Sequence, residues 1–272
     1  SHRLENMLDG QGAMSYFDVS TDPLGQASER ASICLFLRGD LEPAAEKVAI
    51  ALPPGEVGAL RANVTRTAPE WSADAWHARV ATHGAEAAAS GWRRVPFGEA
   101  YASNSAAAFA PLTNAAGPLV IDQGRGAFTL VTARTVGGFA ESGEVRAGPL
   151  AFTVSGSPAT VWASALDSEP VATSRRLLLT HLTDVQNTGA KYAEPARKTL
   201  LSNGKLPHLV RAGLAEVALA LKSPEGYAVY ALATNGRRLE KVASKVEGGA
   251  LRFSASLAGP SGARMLYEVV RE

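Results

Sequence analysis

A single cysteine, Cys34, stands among the 272 residues, so an internal disulfide is excluded. It lies in an apolar stretch and reads as core filler rather than a nucleophile, because a reactive thiol needs an electropositive, accessible setting. One cysteine leaves the redox compartment open. Charge of one sign is also lacking: 27 Lys plus Arg stand against 26 Asp plus Glu, a net charge of +1. No basic field is on offer to nucleic acid or to an anionic membrane, and neither is expected as a partner. No apolar run approaches the roughly 18–20 residues that span a bilayer, and the run from Ile33 to Leu37 is far too short. A basic leader followed by an apolar segment is missing as well. The chain opens Ser1-His2-Arg3 rather than with Met, which reads as a processed, truncated or incomplete chain whose export signal could lie upstream.

Motifs for metal and cofactor chemistry are equally scarce. His77 and His83 are six apart, neither i+3 nor i+4, and His181 and His208 are isolated in β context, so no metal site is expected. There is no G-x-S-x-G, P-loop or H-E-x-x-H, and the glycines near Gly124 and Gly137 lack the strand-to-helix setting of a dinucleotide fingerprint. No cofactor is expected. What is present, 46% hydrophobic and 19% charged residues, is the composition of a globular protein with a real core. The length suits one large or two ordinary domains.

Asp22 is a good N-cap, Pro23 fits the first helical position and Gly39 fits the residue past the end, which predicts a helix over Pro23–Arg38. Leu24, Ala27, Ala31, Cys34 and Leu35 draw one apolar stripe, and Ile33, Phe36 and Leu37 widen it until the last turns are apolar nearly all round. Such a helix needs neighbours on several sides. Lys47–Leu52 reads as a strand stopped by Pro53-Pro54-Gly55. Ser72 offers an N-cap for a helix over Ala73–His83, with Trp76, Val80 and His83 on one stripe and Gly84 at its end. Residues 46–112 therefore read as a short α/β connector, with irregular structure over 85–114.

After Leu112 the pattern turns to short β runs. They fall at Leu119–Asp122, Ala127–Thr132, Leu150–Val154, Thr160–Ala165, Arg175–Thr183, Val217–Leu221, Ala228–Ala233, Glu240–Val246, Leu251–Ser256 and Met265–Val270. Runs at roughly 10-residue spacing predict an antiparallel sandwich over 113–272, either one body or two sub-modules. The fold class is mainly β, an antiparallel β-sandwich preceded by the helix and the α/β connector. Leu166 to Pro170 has the composition of a tight hairpin turn. Arg176–Leu182 carries three successive leucines and suits a strand buried on both faces. Asn187-Thr188-Gly189 predicts an αL turn, in which Asn187 and Lys191 either shape the loop or meet a ligand. Asn235-Gly236 and Gly248-Gly249 are hairpin turns. Tyr227–Leu232 has apolar residues on both faces and belongs in the middle of a sheet.

From Trp162 to Tyr192 the order S-A-L-D-S-E-P, S-R-R-L-L-L-T, N-T-G-A-K-Y resembles the β-sandwich that follows the TIM barrel in certain large bacterial glycoside hydrolases. The opening S-H-R-L-E-N, then S-Y-F-D-V-S-T-D-P and a helix ending F-L-R-G-D, looks like the end of the last barrel strand, its loop and the eighth helix. The resemblance implies that residues 1–45 end a TIM barrel, with the rest of the catalytic domain as an upstream partner and a carbohydrate as substrate. It implies a secreted or periplasmic location too. The family's acid and nucleophile, glutamates on its fourth and seventh barrel strands, would precede Ser1, so no catalytic residue is assigned. In TIM barrels the active site is built from loops at the C-terminal ends of the strands. On this resemblance His2, Arg3, Asn6, Tyr16 and Asp18 are the polar residues that border the substrate cleft.

The acids Glu42, Glu46, Asp122, Asp167 and Asp184 read as turns, caps or surface. Trp71, Trp76, Trp92 and Trp162 read as core or interface anchors before sugar platforms. The expected function is a C-terminal accessory part of a glycoside hydrolase that lacks the catalytic carboxylates. The alternatives are an autonomous carbohydrate-binding sandwich and a structural or oligomerisation module, with a homo-oligomer among the partners considered.

Overall fold

The computed structural model describes residues 33, 35–41, 47–52, 79–84, 93–96, 112–113, 118–195, 197, 199–260 and 262–272. Of the predicted N-terminal helix this includes only its end, where Ile33, Leu35, Phe36 and Leu37 are helical. Gly39 terminates it as expected: at φ +68° it donates its N–H to Phe36 O, and Asp40 N–H reaches Leu35 O. That pair of bonds is the Schellman arrangement, open to glycine because it carries no Cβ. Phe36 and Leu37 are 72% and 76% exposed.

Three strands pair in parallel, with β1 (Lys47–Leu52) between β2 (Arg79–Gly84) and β3 (Arg93–Pro96). This corrects two expectations. Arg79–Gly84 is a strand in register with all of β1, Lys47 opposite Arg79 and Leu52 opposite Gly84, not the end of a helix over Ala73–His83. The apolar strand KVAIAL offers a backbone ladder on each side, and β-branched Val80 and Thr82 favour the extended form over a stripe drawn by three side chains. Arg93–Pro96 likewise lies in a strand where irregular chain was expected.

The remainder forms two packed antiparallel sheets. The chain enters through β4 (Leu112–Thr113), β5 (Leu119–Asp122), β6 (Ala127–Val131) and β7 (Thr135–Ala140), and passes to the second sheet in β8 (Gly143–Ala147) and β9 (Leu150–Ser155). It returns in β10 (Ala159–Ala165) and β11 (Arg176–Leu182). Next comes an arm of two nested hairpins, in which β12 (Val185–Thr188) pairs with β15 (Lys205–Val210) and β13 (Lys191–Tyr192) with β14 (Leu200–Ser202). Then follow β16 (Leu214–Leu219), β17 (Tyr227–Leu232), β18 (Arg238–Val242), β19 (Ser244–Glu247) and β20 (Ala250–Ser256), a two-residue pair of β21 (Ala258–Gly259) with β22 (Gly262–Ala263), and β23 (Leu266–Arg271). Among the described residues the larger sheet has nine strands in the order β18-β17-β23-β11-β10-β7-β6-β5-β4, and the smaller has five, β19-β20-β16-β9-β8.

Alternation along each strand makes the core. Val161 and Ala163 of β10, Leu177 and Leu179 of β11, and Val229 of β17 meet Phe152 of β9, Val217 of β16 and Phe253 of β20 in one buried cluster. Phe253 and Tyr267 face each other across the sheets with ring centroids 6.2 Å apart. Tyr267 donates its hydroxyl to Ser256 O at 2.6 Å, and burial pushes its pKa up to about 12. The predicted hairpins form, but the tight turn expected over Leu166–Pro170 is a longer loop, residues 166–175, closed by Leu166 N–H to Arg176 O. Asp167 accepts backbone N–H groups from Glu169 and Arg175 between β10 and β11, and both Gly248 and Gly249 take positive φ between β19 and β20. The run expected over Glu240–Val246 is two strands on different sheets, joined through Ala243 alone.

Strand β7 is where the sheet is tightest. A Cβ on Gly137 would fall 2.1 Å from the Cβ of Trp162, and one on Gly138 would fall 1.9 Å from Phe128 O. Only glycine admits so close an approach.

Candidate functional site

The cleft residues expected from the sequence, His2, Arg3, Asn6, Tyr16 and Asp18, lie outside the described residues, as do Glu42, Glu46, Trp71, Trp76 and Trp92. Trp162 is half-buried on the outward face of the nine-stranded sheet, against Gly137, as an anchor. The remaining acids take local roles. Asp122 accepts from Arg125 N–H at 3.1 Å, and Asp167 fixes its turn. Asp184 does more than was expected of it. It sits at the base of the arm, where its carboxylate pairs with Arg197 and, at 3.1 Å, with Arg211; the hydrogen bond from Arg197 leads in holding its pKa below the usual range. In the arm, Asn187 bonds Asn203 O through Nδ2 and lies 2.8 Å from His208 Nδ1 through Oδ1, so it shapes the ribbon as the turn reading expects.

Two faces of the sandwich carry information. The outward face of the nine-stranded sheet presents Phe128, Phe139, Trp162, Leu178 and Leu266, and none of them is exposed. The end of the helix meets this face. Thr135 Oγ1 lies 3.1 Å from Asp40 Oδ2 and 3.0 Å from Ser164 Oγ, while an Arg38 guanidinium N–H reaches Ala165 O at 3.3 Å. Arg38 and Asp40 also pair with each other at 3.3 Å, with the carboxylate only 3% exposed.

The opposite, outward face of the five-stranded sheet is open and polar. Period-2 alternation on β8, β9, β16 and β20 aligns two cross-strand rows there. Ser254, Glu216, Thr153 and Glu144 are consecutive partners across four strands, and the next row runs Arg252, Ala218, Ala151, Arg146. All of them except Arg146 line a groove of about 480 Å³, walled on one side by β19. Ser254 Oγ lies 2.8 Å from both carboxylate oxygens of Glu216. At the rims Glu144 pairs with Arg146 at 2.6 Å, and Glu247 pairs with Lys245 at 3.1 Å and Arg252 at 3.6 Å. The hydrogen bond from Lys245 is the main cause that lowers the Glu247 pKa.

This groove was not singled out from the sequence. Its signal is the polar member of each alternating run, Glu216 in LAEVAL, Thr153 in LAFTVS and Ser254 in LRFSAS, but which runs are neighbours is a property of the topology. Among the described residues no group of three or more His, Cys, Asp or Glu side chains is placed to hold a metal ion. No protein-family model, curated protein or solved structure matches the chain.

Proposed function

We propose that this chain is the C-terminal accessory part of a glycoside hydrolase, with a sandwich that serves as the platform on which the preceding region docks. The observation that supports it most is the junction of Arg38 and Asp40 with Thr135, Ser164 and Ala165. A carboxylate that is nearly sealed, paired and bonded to a sheet hydroxyl holds the helix end in one place, because leaving either partner alone costs the desolvation of a charge. Exposed Phe36 and Leu37 on that helix are apolar surface suited to cover by a larger body, as a barrel would provide. The family resemblance supplies the carbohydrate. A free-standing carbohydrate-binding sandwich is the second reading, favoured by the polar groove on the five-stranded sheet. The first reading is tested on a panel of aryl glycosides with the 272-residue chain beside the product of the complete gene. The complete product is expected to turn them over and the chain to show none; turnover by the chain, lost on replacing one of its own acids, overturns the reading.

A further inference from the structure

We infer that the groove on the five-stranded sheet binds a neutral, hydroxyl-rich chain of short-oligosaccharide size, laid across strands β20, β16, β9 and β8. The inference rests on the carbohydrate-directed reading above and gives it a second site, remote from the face that holds Asp40. Its basis is the juxtaposition of two rows. One alternates hydroxyl and carboxylate: Ser254, Glu216, Thr153, Glu144. The other places two alanines between two arginines: Arg252, Ala218, Ala151, Arg146.

The chemistry follows from what each group has left to offer. A carboxylate has about four acceptor positions, and Ser254 has one proton to give, so Glu216 retains acceptors that face the groove. Hydroxyl donors from a ligand would meet them as charge-assisted bonds. Arg252 uses Nε on Glu247, and among the described residues its terminal nitrogens have no partner, so it can donate to ligand oxygens. Thr153 can do either. The methyl groups of Ala218 and Ala151 form a low floor beside Arg252, about 10 Å across from β20 to β9 at the usual strand spacing. Glu144, Glu216 and Glu247 stand against Lys245 and Arg252 in the lining, a near balance that disfavours a strongly charged ligand of either sign and suits one that both donates and accepts at short intervals.

Nitrogen-labelled 272-residue chain is titrated with short cello-, xylo-, malto- and manno-oligosaccharides and followed by amide chemical shifts, with an anionic oligosaccharide and an acidic peptide as counter-probes. At least one neutral sugar is expected to move the amides of Thr153, Glu216 and Ser254. Glu216→Gln should weaken that binding about tenfold, the loss of one charge-assisted bond, and Ala218→Phe should abolish it by filling the floor. Both side chains point outward, so thermal melts should stay unchanged. The inference is overturned if no neutral sugar moves those amides, if binding survives both substitutions, or if only the charged probes bind. The aryl glycoside comparison is independent. Activity of the complete gene product without groove binding removes this inference alone, whereas groove binding with an inactive complete product removes the accessory reading alone.

Discussion

His181 on β11 and Ala255 on β20 bridge the two sheets: the ring Nδ1 lies 2.8 Å from the Ala255 carbonyl oxygen in the sealed core. Nδ1 therefore carries the proton and donates. Nε2, on the other side of the ring, has no partner among the described residues. Burial is the main cause that lowers the His181 pKa below its ordinary value of 6.5, outweighing the bond to Ala255.

A folded pKa below the unfolded one means that the unfolded chain binds the extra proton more readily. The stability this histidine confers is complete above about pH 6.5 and declines as pH falls toward the folded value. Melting temperature should drop between pH 7.5 and pH 5. His181→Leu should lower it at neutral pH, since Ala255 O loses its donor at a cost of about 1–3 kcal/mol, but should flatten the dependence in this window. A scan of melts against pH on both proteins checks it.

Asp40→Ala leaves Arg38 half-buried without its carboxylate and removes the acceptor of Thr135. A loss of about 1–3 kcal/mol is expected at this junction. The sandwich should remain folded while the helix end loosens. Limited proteolysis near residue 40, followed by mass, should show faster cleavage there and unchanged protection of residues 130–271.

Glu268 on β23 is 3% exposed and joins Arg176 of β11 to Arg238 of β18 at 2.5 and 2.6 Å. Burial alone would raise its pKa, but the hydrogen bonds from Arg238 and Arg176 together outweigh it, and the net shift is downward. Its stabilising effect is present above about pH 4.5 and is lost as the folded group protonates in stronger acid. Glu268→Gln should cost about 2 kcal/mol near neutrality, less than a fully buried pair because both arginines are half-exposed. Urea denaturation at pH 7 and pH 3.5 should show the difference shrinking at the lower pH.

Gly137→Ala and Gly138→Ala meet backbone or Cβ atoms at 2.1 and 1.9 Å. Neither neighbour is a flexible tip, so the strands must part. Both variants should fall well below wild type in melting temperature or collect in inclusion bodies, whereas Gly236→Ala, with nothing within 4 Å, should cost only the strain of its positive φ. Soluble yield and melts of the three proteins decide it.

Much of the sandwich was legible because its strands announce themselves by alternation and by turn residues: Leu119–Asp122 is matched to the residue, and the turns at Gly236 and Gly248-Gly249 form as expected. Strand β7 was missed, since TVGGFA puts two glycines where a strand usually packs side chains, and only the nearness of Trp162 and Phe128 explains them. Glu240–Val246 reads as a single run because nothing local marks Ala243 as the corner between sheets. Arg79–Gly84 was misread for a different reason: its pairing with β1 is non-local. The polar groove was hidden likewise, for its rows join residues up to 110 positions apart in the chain, Glu144 to Ser254, through ladders that no spacing reports.

The position of β23 between β17 and β11 sets an order on assembly. During vectorial synthesis β17 and β18 emerge with no ladder to β11 beside them, and the seam two strands in from one edge of the larger sheet stays open until Leu266–Arg271 has left the ribosome and slotted in. Val229 and Leu179 wait beside that gap, and Tyr267 fills it. The nascent sandwich is thus a keystone arch: the ladder between β11 and β17 waits for β23, and a chain released before Leu266 would present two unpaired inner edges to every neighbour on the polysome.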